Sequence, residues 1–395
     1  MTYEIALLGA TGFTGGLTAE YLAGHAPGDL RWAVAGRNRA GLDELARRLS
    51  ARSPEREPVG VIQADMTDRR SLTSLASSAR VVATTVGPFA AYGEPLVAAC
   101  AQAGTDYLDI CGESEFVDRM WLLHHERAAG SGARLVHSCG FDSVPPDLGV
   151  WFTLRHLPEG VPLTVEGFVR AHASISAGTY RSAVGSFARS RQAAAASAER
   201  RRTEPRPQGR SVEAIRCDLR REPGSNRWAL RLPTIDPIVV RRSARALDRY
   251  GPDFRYGHYA SLGGLPAVTG TVGGLVAVRL LARVSPARSA LLRLRRTGEG
   301  PSAQRRRKSW FRVRFVGTGG GRRVVTEVSG GDPGYDETAK MLAESAICLA
   351  RDDLPAGVGQ LTTVQAMGDA LLARLQNAGM TFRVIESSGC ASEGR

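Results

Sequence analysis

Along the first 140 residues, short runs of apolar side chains alternate with stretches in which apolar positions recur every three or four residues. The runs Tyr3–Gly9, Arg31–Gly36, Val59–Ala64, Val81–Thr85, Tyr107–Ile110 and Arg134–Ser138 predict strands, and Leu42–Leu49 and Pro95–Ala103 predict helices between them. Strands alternating with helices of this length predict a doubly wound parallel sheet. Beyond Gly140 the alternation stops, and Thr164–Arg170, Trp310–Phe315 and Arg322–Val328 read as strands of a separate, mostly antiparallel sheet. The expected fold class is α/β, with a Rossmann-type sheet in residues 1–143 and an α+β unit in residues 144–395. The second unit would carry the substrate and any homodimer contacts, and its C-terminal segment would pack back on the first.

Two stretches stand apart. Arg200–Arg210, with three consecutive arginines and two prolines, reads as an exposed loop. Tyr259–Val278 holds 20 positions without a charge, followed by Arg279, Arg283, Arg288, Arg293, Arg295 and Arg296. Its five glycines and Pro266 dilute it below the hydrophobicity of a spanning helix. A buried helical hairpin is expected there; the alternative is a peripheral membrane contact, with the arginines facing lipid head groups.

The 395 residues are 43% hydrophobic and 23% charged, which excludes a disordered chain. The first apolar run breaks at Gly9 without a basic leader, so a cytoplasmic location is expected. Cys100, Cys111, Cys139, Cys217, Cys348 and Cys390 form no C-x-x-C pair, so they read as reduced thiols and no metal site is expected. Net charge is +13, split as −5 over residues 1–150 and +18 over residues 151–395. A basic second half favours anionic partners such as an acidic carrier protein or an acyl thioester of one. Arginine supplies all but two of the basic residues, so an arginine-favouring genome explains the excess equally well. Nucleic acid is not expected, because no recognition motif accompanies the arginines.

The sharpest chemical signal is Gly9-Ala10-Thr11-Gly12-Phe13-Thr14-Gly15, directly after an apolar strand and before a helix. Glycines at that spacing permit a tight turn, close approach of a pyrophosphate and packing of helix on strand, which predicts a dinucleotide site. The second strand ends at Gly36-Arg37, where an NAD site would place an acidic side chain on the ribose. Arginine there can pair with a 2′-phosphate, so NADP(H) is the expected cofactor. Asp65, closing the third strand, is expected to touch the adenine side or to cap the next helix. Thr85, Val86, Gly87 and Pro88, closing the fourth, should pass the nicotinamide.

Gly9–Gly15, Ala35-Gly36-Arg37, Gly87-Pro88-Phe89 with Tyr92-Gly93, Gly104–Asp109, Gly112-Glu113 and Cys139–Pro145 together resemble the saccharopine dehydrogenase-like oxidoreductases. The similarity is greatest to the branch called trans-acting enoyl reductases, and extends to Gly331–Tyr335 and Ala366–Phe382. The resemblance implies a Rossmann domain, an α+β domain and NADPH-dependent reduction of an α,β-unsaturated polyketide or lipid chain held on a carrier protein. Asp142-Ser143-Val144-Pro145 replaces the Asp-Pro-Gly of the amino-acid-handling members, which argues against a saccharopine substrate. A short-chain dehydrogenase is disfavoured too, since Tyr335 precedes Lys340 by five positions, not the four that Tyr-x-x-x-Lys requires.

Enoyl reduction needs a hydride, stabilisation of a thioester enolate and a proton for the α-carbon. Tyr92 and Asp142 are the candidate catalytic residues, with His137, Ser143, Tyr180 and Arg181 as further polar groups near the strand ends. His137, inside an apolar strand, reads as a satisfied core histidine. A reductase of a small amine or imine substrate, or a non-catalytic lipid-surface protein that keeps the Rossmann domain, are the rival readings.

Overall fold

Alternate residues of the first strand enter different layers: Ile5 and Leu7 join one apolar cluster, Ala6 and Leu8 another. That is the geometry of a strand covered on both faces, and it explains why the run is apolar throughout. The computed structural model describes residues 2–52, 54–173, 177–205, 207–282, 286, 287, 289, 290 and 300–389. Cys390 and Arg283, Arg288, Arg293, Arg295 and Arg296 of the expected basic run lie outside the described residues.

Strands β1 (Tyr3–Leu8), β2 (Trp32–Gly36), β3 (Gly60–Gln63), β4 (Ala79–Thr84), β5 (Asp106–Asp109) and β6 (Arg134–Val136) lie in the order β3-β2-β1-β4-β5-β6, all parallel. The order reverses between β1 and β4, which opens a crevice at their carboxyl ends. A second sheet contains β7 (Leu163–His172), β8 (Ser211–Ala214), β9 (Leu219–Arg221), β10 (Trp228–Arg231), β11 (Asp253–Leu262), β12 (Trp310–Gly319) and β13 (Arg322–Gly330). β14 (Gly359–Leu361) instead pairs with β6, so the C-terminal segment adds a parallel strand to the first sheet. β15 (Thr381–Gly389) returns to the second sheet, whose order is β15-β13-β12-β7-β11-β10-β9 with β8 beside β11. Its pairings are antiparallel except those of β11 with β7 and with β8.

The helix Val144–Leu154 joins the two sheets, with Val144 and Leu148 in one cluster with Phe315 and Val328. Buried Asp147 fixes it, accepting from Ser243 Oγ at 2.6 Å, Thr363 Oγ1 at 2.7 Å and the Val364 amide at 3.0 Å. Three donors from two other helices on one carboxylate offset the cost of burying it.

Two expectations are corrected. Arg200–Arg210 does not start as an exposed loop: the helix Ser190–Thr203 runs through the three arginines, and Arg200 is buried because Asp118 and Glu204 pair with it. Tyr259–Val278 is not a buried hairpin, because the uncharged run crosses an element boundary. Tyr259–Leu262 ends β11 in the core, whereas the helix Leu265–Leu281 is largely open, with Val276 50% and Leu280 57% exposed. Among the described residues, no helix is long and apolar enough to cross a membrane.

Candidate active site

The carboxyl ends of β1 to β4 open on one cavity of about 990 Å³. Gly9, Thr11, Gly12, Phe13, Thr14 and Gly15 line it after β1, Gly36 and Arg37 after β2, Asp65 after β3, and Thr85, Val86, Gly87 and Pro88 after β4. Tyr92, Asp142 and Arg181 line it as well, whereas Ser143 and Tyr180 do not. The far wall comes from the second half of the chain, including Ala171, Ser182, Thr234, Ile235 and Tyr335.

The glycines differ in what they do. A Cβ on Gly15 would lie 2.1 Å from the Gly9 carbonyl, and one on Gly9, whose φ is +90°, would lie 2.8 Å from Thr85 Oγ1. Both are therefore demanded by the packing of turn, helix and neighbouring loop. Gly12 has an ordinary φ of −78°, and a Cβ there would meet only the Gly9 carbonyl at 3.2 Å. It faces the space a ligand would fill. No side chain among the described residues caps the helix Phe13–His25, so its first-turn amides and its positive end are left for an anion. The turn fits a pyrophosphate on these grounds.

Arg37 is exposed and forms no ion pair among the described residues, which leaves its guanidinium for a phosphate. Asp65 does not cap the following helix. Asp68 does so, accepting from the Arg70 amide at 2.9 Å. Asp65 instead accepts from the Thr67 amide at 2.9 Å and Oγ1 at 2.8 Å, bonds that hold its carboxyl below the usual range.

At the crossover after β5, buried Asp109 accepts from the amides of Cys111 at 2.9 Å and Ser138 at 2.8 Å and from Tyr107 Oη at 3.0 Å. It also bonds His137 Nδ1 at 2.6 Å. His137 is only half satisfied, contrary to expectation, because its Nε2 has no partner among the described residues. The network holds Ser138 in the left-handed region, φ 64°, at the cavity wall.

Asp142 sits over Gly112, whose absent side chain makes room: a Cβ there would come within 2.9 Å of Oδ2. No donor among the described residues bonds the Asp142 carboxyl. Burial, and then repulsion from Asp236, push it up to about 7. Burial likewise raises Asp236 to about 7, and His258, 3.8 Å away, gives it no countercharge because burial depresses the imidazole to about 4. Asp142 is therefore about half protonated near neutrality, in the wall of the cavity. Tyr92 is 51% exposed at the mouth.

Glu113, not singled out as a functional residue by sequence reasoning, ties the two halves together. It accepts from the Phe89 amide at 3.1 Å and Ser182 Oγ at 3.2 Å, and pairs with Arg189 at 2.7 Å. Arg189 also pairs with Glu115 at 2.7 Å. The Gly112-Glu113 motif was its only signal, since its side-chain partners Ser182 and Arg189 lie some 70 positions away.

Residues 5–136 match the family model described as the saccharopine dehydrogenase NADP binding domain. The chain is 36% identical to the trans-acting enoyl reductase of Mycobacterium tuberculosis, over 96% of this chain and 97% of that protein. The corresponding protein of Mycobacterium ulcerans is 33% identical, with 96% of each chain covered. The chain belongs to the trans-acting enoyl reductase family. Among solved structures, apo saccharopine dehydrogenase (L-Glu forming) from Saccharomyces cerevisiae shares the fold, with a TM-score of 0.53 at 13% identity, covering 97% of this chain and 100% of that one. This member of the trans-acting enoyl reductase family is an oxidoreductase whose cofactor is NADP(H).

Proposed function

We propose that the protein reduces the carbon–carbon double bond of an α,β-unsaturated acyl chain, of polyketide or lipid type, carried as a thioester on an acyl carrier protein. The observation that carries this reading is the wall facing the cofactor turn. From the second half of the chain it draws small or uncharged residues, Ala171, Ala173, Gly178, Ser182, Ser186, Thr234 and Ile235, and Arg181 is the one cation that half contributes among the described residues. An acyl chain is matched by such a wall. An amino-acid substrate would need convergent charges for its carboxylates. The names of the mycobacterial relatives support the same reaction.

Residues 1–143 form the cofactor unit in this reading and residues 144–395 the substrate unit. When bound, NADPH supplies a hydride for the β-carbon. The amides that follow Gly12 hold its pyrophosphate, Arg37 its 2′-phosphate and Asp65 the adenine side, while Thr85–Pro88 flank the nicotinamide. The protonated carboxyl of Asp142 donates to the α-carbon of the substrate enolate and is reprotonated from solvent. Tyr92, at the mouth, binds the thioester oxygen.

Arg37→Ala should weaken NADPH by roughly tenfold or more, the loss of a charged pair of about 1.5–3 kcal/mol, and leave NADH nearly unchanged. Parallel titrations with the two nucleotides check this, and equal losses for both contradict the role given to Arg37.

The carrier is tested through salt. The +18 balance over residues 151–395 should steer an acidic carrier, so kcat/KM for a carrier-bound chain should exceed that for the free thioester of equal length and fall more steeply as salt rises. Equal values and equal salt slopes would remove the carrier from the reading. A second reading, cytoplasmic but resting on an anionic lipid surface, is favoured by the open apolar face of Leu265–Leu281 with Arg279 near its end. It requires co-sedimentation with anionic vesicles that Val276→Glu abolishes without changing turnover of a soluble substrate.

A further inference from the structure

A second cavity, of about 180 Å³, lies behind the first sheet's crossover between the helices Ser114–Ser131, Ser190–Thr203 and Asp236–Ala246. Arg200, Arg242 and Arg245 line it, together with Trp121, His137 and Gln360. Arg200 and Arg242 are only 4% and 8% exposed. Asp118 accepts from both, at 3.4 Å from Arg200, and Glu204 pairs with Arg200 at 2.7 Å. Arg245 forms no ion pair among the described residues. Three guanidinium groups thus share two carboxylates in a half-enclosed space. Burial, and then the nearby Arg200, press the Arg242 guanidinium down to about 10. Three of the lining side chains also keep a buried atom without a hydrogen-bond partner among the described residues: Arg200 Nε, His137 Nε2 and Gln360 Oε1. Orphaned polar atoms next to excess buried charge are costly unless something fills the space.

We propose that this cavity is a second binding site, for a compact oxyanion that also carries a hydroxyl hydrogen, of which inorganic phosphate is the simplest. The anion satisfies the surplus guanidinium and Arg200 Nε. In the tautomer that gives Nδ1–H to Asp109, His137 presents Nε2 as an acceptor, and Gln360, whose Nε2 donates to the Val117 carbonyl, presents Oε1 as another. Dihydrogen phosphate carries two hydroxyl hydrogens, one for each acceptor. The volume suits a group of a few heavy atoms and excludes a nucleotide. Ser138 lines both cavities, so the ligand sits back to back with the cofactor site without sharing it.

The test is calorimetric titration of inorganic phosphate into the full chain saturated with NADPH, which keeps phosphate out of the cofactor turn. One phosphate per chain is expected. Arg245→Gln should weaken it by about tenfold or more, Arg245→Lys should restore most of the loss, and Arg37→Ala should leave it unchanged at saturating NADPH. Arg245 is the position of choice because removing Arg200 or Arg242 would take one of its two partners from the buried Asp118 carboxylate and destabilise the fold. Absence of binding at tens of millimolar phosphate, or binding that NADPH abolishes, overturns the proposal. So does binding that is indifferent to Arg245→Gln.

Discussion

Replacing Gly12 with valine should abolish NADPH binding while the protein stays folded. The expectation follows from the difference between the three glycines of the turn. Gly9 and Gly15 are hemmed in by protein atoms at 2.8 Å and 2.1 Å, so side chains there would break the packing. Gly12 has a φ open to any residue and one protein neighbour at 3.2 Å, so an isopropyl group can project into the ligand's space. The loss should be at least about a hundredfold, roughly 3 kcal/mol. Fluorescence titration with NADPH, beside an unchanged circular dichroism spectrum, measures it. A folded variant that binds as tightly as the wild type would place the pyrophosphate elsewhere.

The second large effect is expected at Asp142. Asn keeps its shape but has no proton to give, so kcat should drop by about a hundredfold or more with NADPH affinity unchanged. The wild type should lose activity as pH rises through about 7, the value to which burial and Asp236 push the carboxyl, and Asp142→Asn should lose that alkaline limb. Stability supplies an independent check with a defined sign. A carboxyl that holds its proton to about 7 in the folded state but ionises near 4 when unfolded costs stability as pH rises across that window. Asp142→Asn should therefore gain Tm relative to the wild type between about pH 4 and 7, with no further gain above. If Tyr92→Phe, and not Asp142→Asn, removed the alkaline limb, the proton donor would be the phenol.

The cofactor half of this protein was legible in its sequence because its signals are local. A strand buried on both faces must be apolar at every position, as Ile5–Leu8 are, and a phosphate turn must carry glycine at fixed offsets. The residues expected at the cofactor turn and strand ends, with Tyr92 and Asp142, line one cavity, whereas Ser143 and Tyr180 do not. What escaped depends on partners far along the chain. Arg200 read as surface because its buried partner Asp118 lies 82 positions earlier, and the nearby Glu204 alone would fit an exposed i,i+4 pair as well. The repulsion that helps Asp142 keep its proton comes from Asp236, on a helix the local pattern does not connect with the crossover. The run Tyr259–Val278 misled for a different reason. Absence of charge is shared by a core strand and an open apolar helix, and the run contains part of each.

The central claim is enoyl reduction, and it is tested most directly by following the atoms. A carrier-bound enoyl chain is incubated with the protein and NADPH deuterated at the transferred position of C4, and the product is analysed by mass spectrometry after release from the carrier. The account predicts a saturated thioester with one deuterium, located at the β-carbon, and an ordinary hydrogen from solvent at the α-carbon. An unreduced enoyl chain with NADPH demonstrably bound, or deuterium appearing at a carbonyl carbon as an alcohol, would contradict it.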